Sequence, residues 1–173
     1  GLKTLLETVC RRLSGKGGEL NSVVRLDTQY GGGKTHSLIA LVHAVRGMQD
    51  VAGAKEFIDP KLLPKGNVRV AAIDGENADP ANGLKLEKGL FARSIWGEMA
   101  YLLGGKAAFD LVAESDRQLV SPGEATLEAV LQLAGPSLIL FDETLHYVDK
   151  VSSIKGPEGD LAKQTVAFLR ELT

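Results

Sequence analysis

The sequence predicts a three-layer α/β core built on a mostly parallel sheet, and three stretches predict it. Val23 to Leu41, V-V-R-L-D-T-Q-Y-G-G-G-K-T-H-S-L-I-A-L, reads as a short buried strand, a glycine-rich turn and a helix. Val68 to Ile73, V-R-V-A-A-I, reads as a second strand that runs straight into Asp74-Gly75-Glu76-Asn77. Ser137 to Glu143, S-L-I-L-F-D-E, reads as a further apolar strand ending in two carboxylates. Strands separated by helical stretches are joined by crossovers, which favours parallel pairing.

From the start of the chain, Leu2, Leu5, Leu6, Val9 and Leu13 fall on one face of a helix, and Gly15 to Gly18 ends it. Cys10 on this helix reads as a small packed thiol, and Arg11 and Arg12 as a solvated basic turn. The strand and glycine turn follow, then a helix to about Arg46 with Leu38, Ile39, Leu41, Val42 and Val45 inward, stopped by Gly47. A short helix around Ala54 to Ile58 leads into a linker ending Pro64-Lys65-Gly66. After the second strand, D-G-E-N-A-D-P-A-N-G is rich in turn formers. Asp74 or Glu76 at such a strand end also lies where ligands bind in a parallel sheet.

Gly89 to Leu103 reads as the most strongly amphipathic helix, with Leu90, Phe91, Ile95, Met99, Leu102 and Leu103 at helical spacing and Gly104-Gly105 as its end. Within it, Trp96 and Tyr101 read as packing residues rather than an adenine platform, and Arg93 as a solvated arginine. Lys106 to Glu114 gives another helix, and Ser121-Pro122-Gly123-Glu124 opens one through Leu127, Val130, Leu131 and Leu133. Beyond Glu143, residues 152–159 read as a loop, and a last helix starts at about Asp160.

Composition narrows the class of protein. The 173 residues, 18.4 kDa, suffice for one domain with a real core, and a hydrophobic share of 44% with mean hydropathy of +0.01 is that of a soluble globular chain. A net charge of −2 gives no global basic field for nucleic acid or an anionic membrane, so any nucleic-acid contact would rest on a local patch. One cysteine excludes an internal disulfide framework, and no apolar run is long enough to span a bilayer. With no signal-like start, these features lead to the expectation of a cytoplasmic protein.

The glycine turn has the chemistry of a phosphate cradle. Gly31, Gly32 and Gly33 lack a Cβ, so their N–H groups can line one concave nest for an anion. The following helix aims its positive end and its unpaired first-turn N–H groups, that of His36 among them, at the same point. Lys34 is expected to reach the β- and γ-phosphates, and the Thr35 hydroxyl to ligate a bridging Mg2+. The usual pattern starts with a glycine where this chain has Thr28, a position that serves the exit from the strand rather than the cradle.

The Asp-Glu strand supplies the complementary half. Asp142 would hold the metal, mostly through water, and Glu143 would orient and deprotonate the water that attacks the γ-phosphate. A strand lying between the two motifs, with a glutamate directly after the aspartate, points to the additional-strand, catalytic-glutamate division of P-loop NTPases, which includes the AAA+ ATPases. His36, His43 and His146 are read as solvated or structural side chains, and for His36 only the backbone N–H is a nucleotide contact. No guanine-reading N-K-x-D pattern is present, which favours ATP.

The strings Y-G-G-G-K-T-H-S-L, G-L-F-A-R-S-I-W-G-E-M-A-Y-L-L-G-G, L-V-A-E-S-D-R and G-P-S-L-I-L-F-D-E resemble the ATP-binding region of a prokaryotic family, domain of unknown function 499, described as predicted AAA+ superfamily ATPases. The resemblance runs from about Asp27 to Val148. It implies a large protein encoded beside DNA methylases and helicase-like proteins, and hence a setting in DNA modification or phage defence. It also leaves room for a homo-oligomer in which a neighbouring subunit completes the site. Neither a sensor strand nor an arginine finger is identifiable in the 173 residues, so the core is expected to be incomplete, part of a larger protein and slow in isolation. The expected activity is hydrolysis of Mg-ATP. The alternatives are an ATP-gated scaffold without turnover and a small-molecule phosphotransferase, the latter disfavoured by Glu143.

Overall fold

The computed structural model describes residues 1–16, 33–48 and 51–173, and it is a mixed α/β structure. The expected strand at Val23 to Leu26, together with Thr28, Gly31 and Gly32, lies outside the described residues. Two compact units result, Gly1–Val68 and Arg69–Thr173.

In the first unit, α1 (Leu2–Leu13), α2 (Lys34–Val45) and the single-turn α3 (Ala54–Phe57) bury Leu6, Cys10, Leu41, Ala44, Val45 and Ile58. Cys10 is fully enclosed, and burial pushes its thiol up to about 11, the behaviour of a packing residue and not of a nucleophile. Gly47 ends the α2 segment with φ +91, as a residue without a Cβ can.

The second unit is organised on two parallel strands, β1 (Arg69–Asp74) and β4 (Ser137–Asp142), paired in register from Arg69 with Ser137 to Asp74 with Asp142. Side chains alternate across this pair. Ala71 and Ile73 of β1, with Ile139 and Phe141 beside them on β4, face the main apolar cluster. There Phe168 stacks at a tilt on Trp96 with ring centroids 5.7 Å apart and meets Phe141 edge-on at 6.4 Å. The same register sets Asp74 and Asp142 side by side at the carboxyl end.

Between β1 and β4 the chain departs from expectation. Leu90 and Phe91 are not the first turn of a helix. They belong to β3 (Leu90–Ala92), which pairs antiparallel with β2 (Leu84–Glu87) through a bulge and a turn at Gly89 with φ +79. Phe91 is 51% exposed, so its place in an apolar helical pattern was coincidental. The helix α4 (Ile95–Gln118) begins only after Ser94, whose hydroxyl accepts the Gly97 N–H at 3.1 Å as a cap. Gly104 and Gly105 break α4 into two arms with non-helical dihedrals, as the glycine pair predicts, and the second arm runs four residues past the expected Glu114.

The return of the second arm is fixed by one carboxylate. Asp116, 3% exposed, accepts the Arg93 N–H (3.0 and 3.1 Å), the Ser94 N–H (2.9 Å) and the Ser94 hydroxyl (2.5 Å). Gly97 must be glycine here, because a Cβ would run into the Asp116 carboxylate and come within 3.1 Å of Phe109. The helices α5 (Glu124–Ala134), α6 (Thr144–Val151) and α7 (Leu161–Leu172) complete the unit, and the loop after α6 carries the two-residue strands β5 (Lys155–Gly156) and β6 (Gly159–Asp160).

Candidate nucleotide-binding site

Of the residues expected to form a phosphate loop, Gly33, Lys34, Thr35 and His36 are described, and they belong to the first unit. Gly33 adopts a left-handed conformation, φ +78 and ψ +19, and is the cap from which α2 starts at Lys34. Such a cap needs glycine more for its dihedrals than for space, since a Cβ would meet nothing within 4 Å. The Ser37 N–H (2.9 Å) and hydroxyl (3.1 Å) both return to the Gly33 carbonyl and close the first turn. No acidic residue occupies that turn to oppose an anion, and Thr35 and His36 are exposed.

The carboxylates belong to the second unit. Asp142 is the last residue of β4, half-buried, and its Oδ1 accepts the Glu143 N–H at 3.0 Å. Glu143 is exposed and left-handed, φ +52 and ψ +43, and serves as the cap of α6. A non-glycine residue held there stores on the order of 1–3 kcal/mol of strain, and such strain gathers at functional positions.

The loop after β1 packs directly on this turn. The Gly75 N–H donates to the Asp142 carbonyl at 2.9 Å, and a Cβ on Gly75 would collide with the Glu143 carbonyl and lie 2.8 Å from the Tyr147 Cβ. Asp74 closes its own turn, accepting from the Glu76 N–H at 2.9 Å and from the Asn77 amide, and the Asn77 bond is the main reason its carboxyl is held below the usual range. Asp79 repeats the device with the Asn82 amide at 2.8 Å. The turn-forming reading of D-G-E-N-A-D-P-A-N-G is therefore the one these side chains follow. Lys150 of α6 reaches across to donate to the carbonyls of Glu76 and, at 3.3 Å, Ala78.

Beneath the loop lies a cavity of about 280 Å3, lined among others by Asp74, Asn77, Arg93, Glu98 and Tyr147. Burial, reinforced by the charge of Asp74, pushes the Glu98 carboxyl up to about 7. Burial likewise raises the Tyr147 phenol, with the Glu98 and Asp116 charges adding to it. Neither Glu98 nor Gly75, Asp116 or Lys150 stood out in the sequence as a site residue. Gly75 looked like an ordinary turn glycine, and Lys150 touches partners more than 70 positions away. For Asp116 the available signal was its place in the L-V-A-E-S-D-R string. Trp96 is fully buried, as expected of a packing residue, whereas Tyr101 is only half-buried and its hydroxyl donates to Glu87 at 3.1 Å.

Among the described residues, no group of three or more His, Cys, Asp or Glu side chains could form a metal cage, and no helix is long and apolar enough to cross a membrane. The comparison with curated proteins found no match, and neither did the comparison with solved structures. The model of the DUF499 N-terminal domain matches residues 1–173, and the chain belongs to that family.

Proposed function

We propose that this protein binds Mg-ATP and hydrolyses it to drive a conformational change, as an AAA+-like P-loop ATPase. The observation that carries the reading is the end of β4, where Asp142 and an exposed, left-handed Glu143 stand beside Asp74 at the carboxyl edge of a parallel strand pair. The left-handed Gly33 opening α2 at Lys34 supports the phosphate-binding half.

The donor set suits magnesium. Mg2+ in nucleotide sites is held by one or two protein oxygens together with substrate phosphates and water, not by a dedicated cage. Thr35 and Asp142 would supply those oxygens. Gly31, Gly32, Gly33, Lys34 and the His36 N–H would cradle the phosphates. As the water oxygen attacks the γ-phosphorus and ADP leaves, Glu143 would accept the water proton. The setting in DNA modification or phage defence, with DNA-modification or helicase-like partner proteins and a homo-oligomer, follows from the family resemblance and belongs to the same proposal, as does a cytoplasmic location.

Calorimetric titration of the chain with ATP and magnesium, beside Lys34→Ala, tests it. Micromolar binding that the substitution abolishes is expected. Equal binding by both proteins, or none by the unaltered chain, overturns the assignment of the phosphate loop in this chain.

A further inference from the structure

We infer that the loop of residues 74–79 controls Glu143, with Gly75 as the contact and Lys150 as the latch, so that displacing the loop switches hydrolysis without altering nucleotide affinity. The inference deepens the ATPase reading by naming how that site is regulated, and it rests on that reading for its catalytic consequence.

The geometry is specific. Glu143 is one of three non-glycine residues with positive φ among the described residues, at +52, so its neighbours must hold it there. The neighbour is Gly75. Its N–H is bonded to the Asp142 carbonyl at 2.9 Å, and its Cα lies so close to the Glu143 peptide that a Cβ would come within 3.0 Å of the Glu143 carbonyl carbon and collide with the oxygen. Gly75 is buried and its φ is outside the left-handed range, so glycine is required for this approach and not for the loop's own backbone.

Two further features tie the loop down. The Asp74 carboxylate closes the turn internally through the Glu76 N–H and Asn77. Lys150 donates to the carbonyls of Glu76 and Ala78 from the helix that Glu143 itself caps. The loop, the Glu143 turn and α6 thus form a closed circuit of contacts. An event that lifts the 74–79 loop would release Glu143 from its strained conformation. Gly75 and Lys150 are positioning residues, since each acts through the backbone around Glu143.

The test combines backbone NMR of Glu143 with steady-state ATP hydrolysis for the unaltered chain, Gly75→Ala, Lys150→Met and Lys150→Arg. Scalar coupling and carbon shifts should report a left-handed Glu143 in the unaltered chain and its loss in Gly75→Ala. In Gly75→Ala kcat should fall about tenfold or more while KM for ATP stays within about threefold, a split that general destabilisation does not produce. Lys150→Met should give a smaller fall in kcat with the same constant KM, and Lys150→Arg, which can still reach both carbonyls, should restore it. A left-handed Glu143 with unchanged kcat in Gly75→Ala overturns the inference. Should Gly75→Ala not fold, Lys150→Met decides, and an unchanged Glu143 conformation there overturns it equally. If the unaltered chain hydrolyses no ATP, the ATPase reading fails by itself, while the NMR arm still decides whether the loop sets Glu143.

Discussion

Asp116 and Glu143 are both acidic residues within strings by which the chain resembles its family, yet their surroundings are opposite. Asp116 is 3% exposed and saturated, accepting two backbone N–H groups and a hydroxyl that fold the second arm of α4 back onto the start of the first. Burial raises its carboxyl, and the Ser94 and Arg93 hydrogen bonds work against that rise. Glu143 is exposed, strained in its backbone, and placed at the carboxyl edge of the strand pair, where parallel sheets in general bind ligands. A buried, fully satisfied carboxylate is architecture, whereas an exposed one held in an unfavourable conformation is available for chemistry.

Asp116→Ala leaves the Arg93 and Ser94 N–H groups and the Ser94 hydroxyl without their acceptor in a buried place, and should cost about 2–4 kcal/mol in denaturant unfolding. A loss below about 0.5 kcal/mol, typical of a surface position, would mean that the fold-back of the second arm of α4 does not depend on this residue.

Glu98 lies between the two types, buried in part and raised in its carboxyl. Its folded-state carboxyl is raised to about 7 from 4.5, so the folded protein holds this proton more tightly than the unfolded chain. Stability from this group is consequently lost as pH rises between those two values, and the penalty persists above them. Glu98→Gln should be more stable than the unaltered chain by about 1–3 kcal/mol at pH 8, after discounting for partial solvation, and equal to it near pH 4. A constant difference at both pH values would contradict the burial of the charge. The smallest effect is expected at Leu145, directly beyond the Glu143 turn and 81% exposed. Leu145→Ser should change unfolding free energy by less than about 0.5 kcal/mol.

How much of this was legible in the sequence depended on the range of the signal. The strand V-R-V-A-A-I, the strand S-L-I-L-F-D and the break at Gly104-Gly105 are local patterns, and the structure has β1, β4 and a broken α4 at those places. The β2–β3 hairpin was misread because Leu90, Phe91, Ile95 and Met99 happen to share helical spacing. The competing local signals, a Lys88-Gly89 turn and a Ser94 cap, were shorter. Gly75 could not be told from any turn glycine, since its role is set by Glu143, far along the chain. Asp116 needed the fold-back to bring it to Arg93 and Ser94, more than 20 positions earlier. The strand end at Asp142 and Glu143 was legible because strand and carboxylates are contiguous, whereas the residues packed around it are not.

The most direct test of the account is single-turnover hydrolysis of pre-bound ATP by the unaltered chain and by Glu143→Gln. The variant should keep its affinity for Mg-ATP and its stability while losing about 10²-fold or more in the hydrolytic rate, the usual scale for removing a general base. Equal rates in the two proteins would contradict it, and Glu143 would then be a strained cap of α6 with no part in the chemistry.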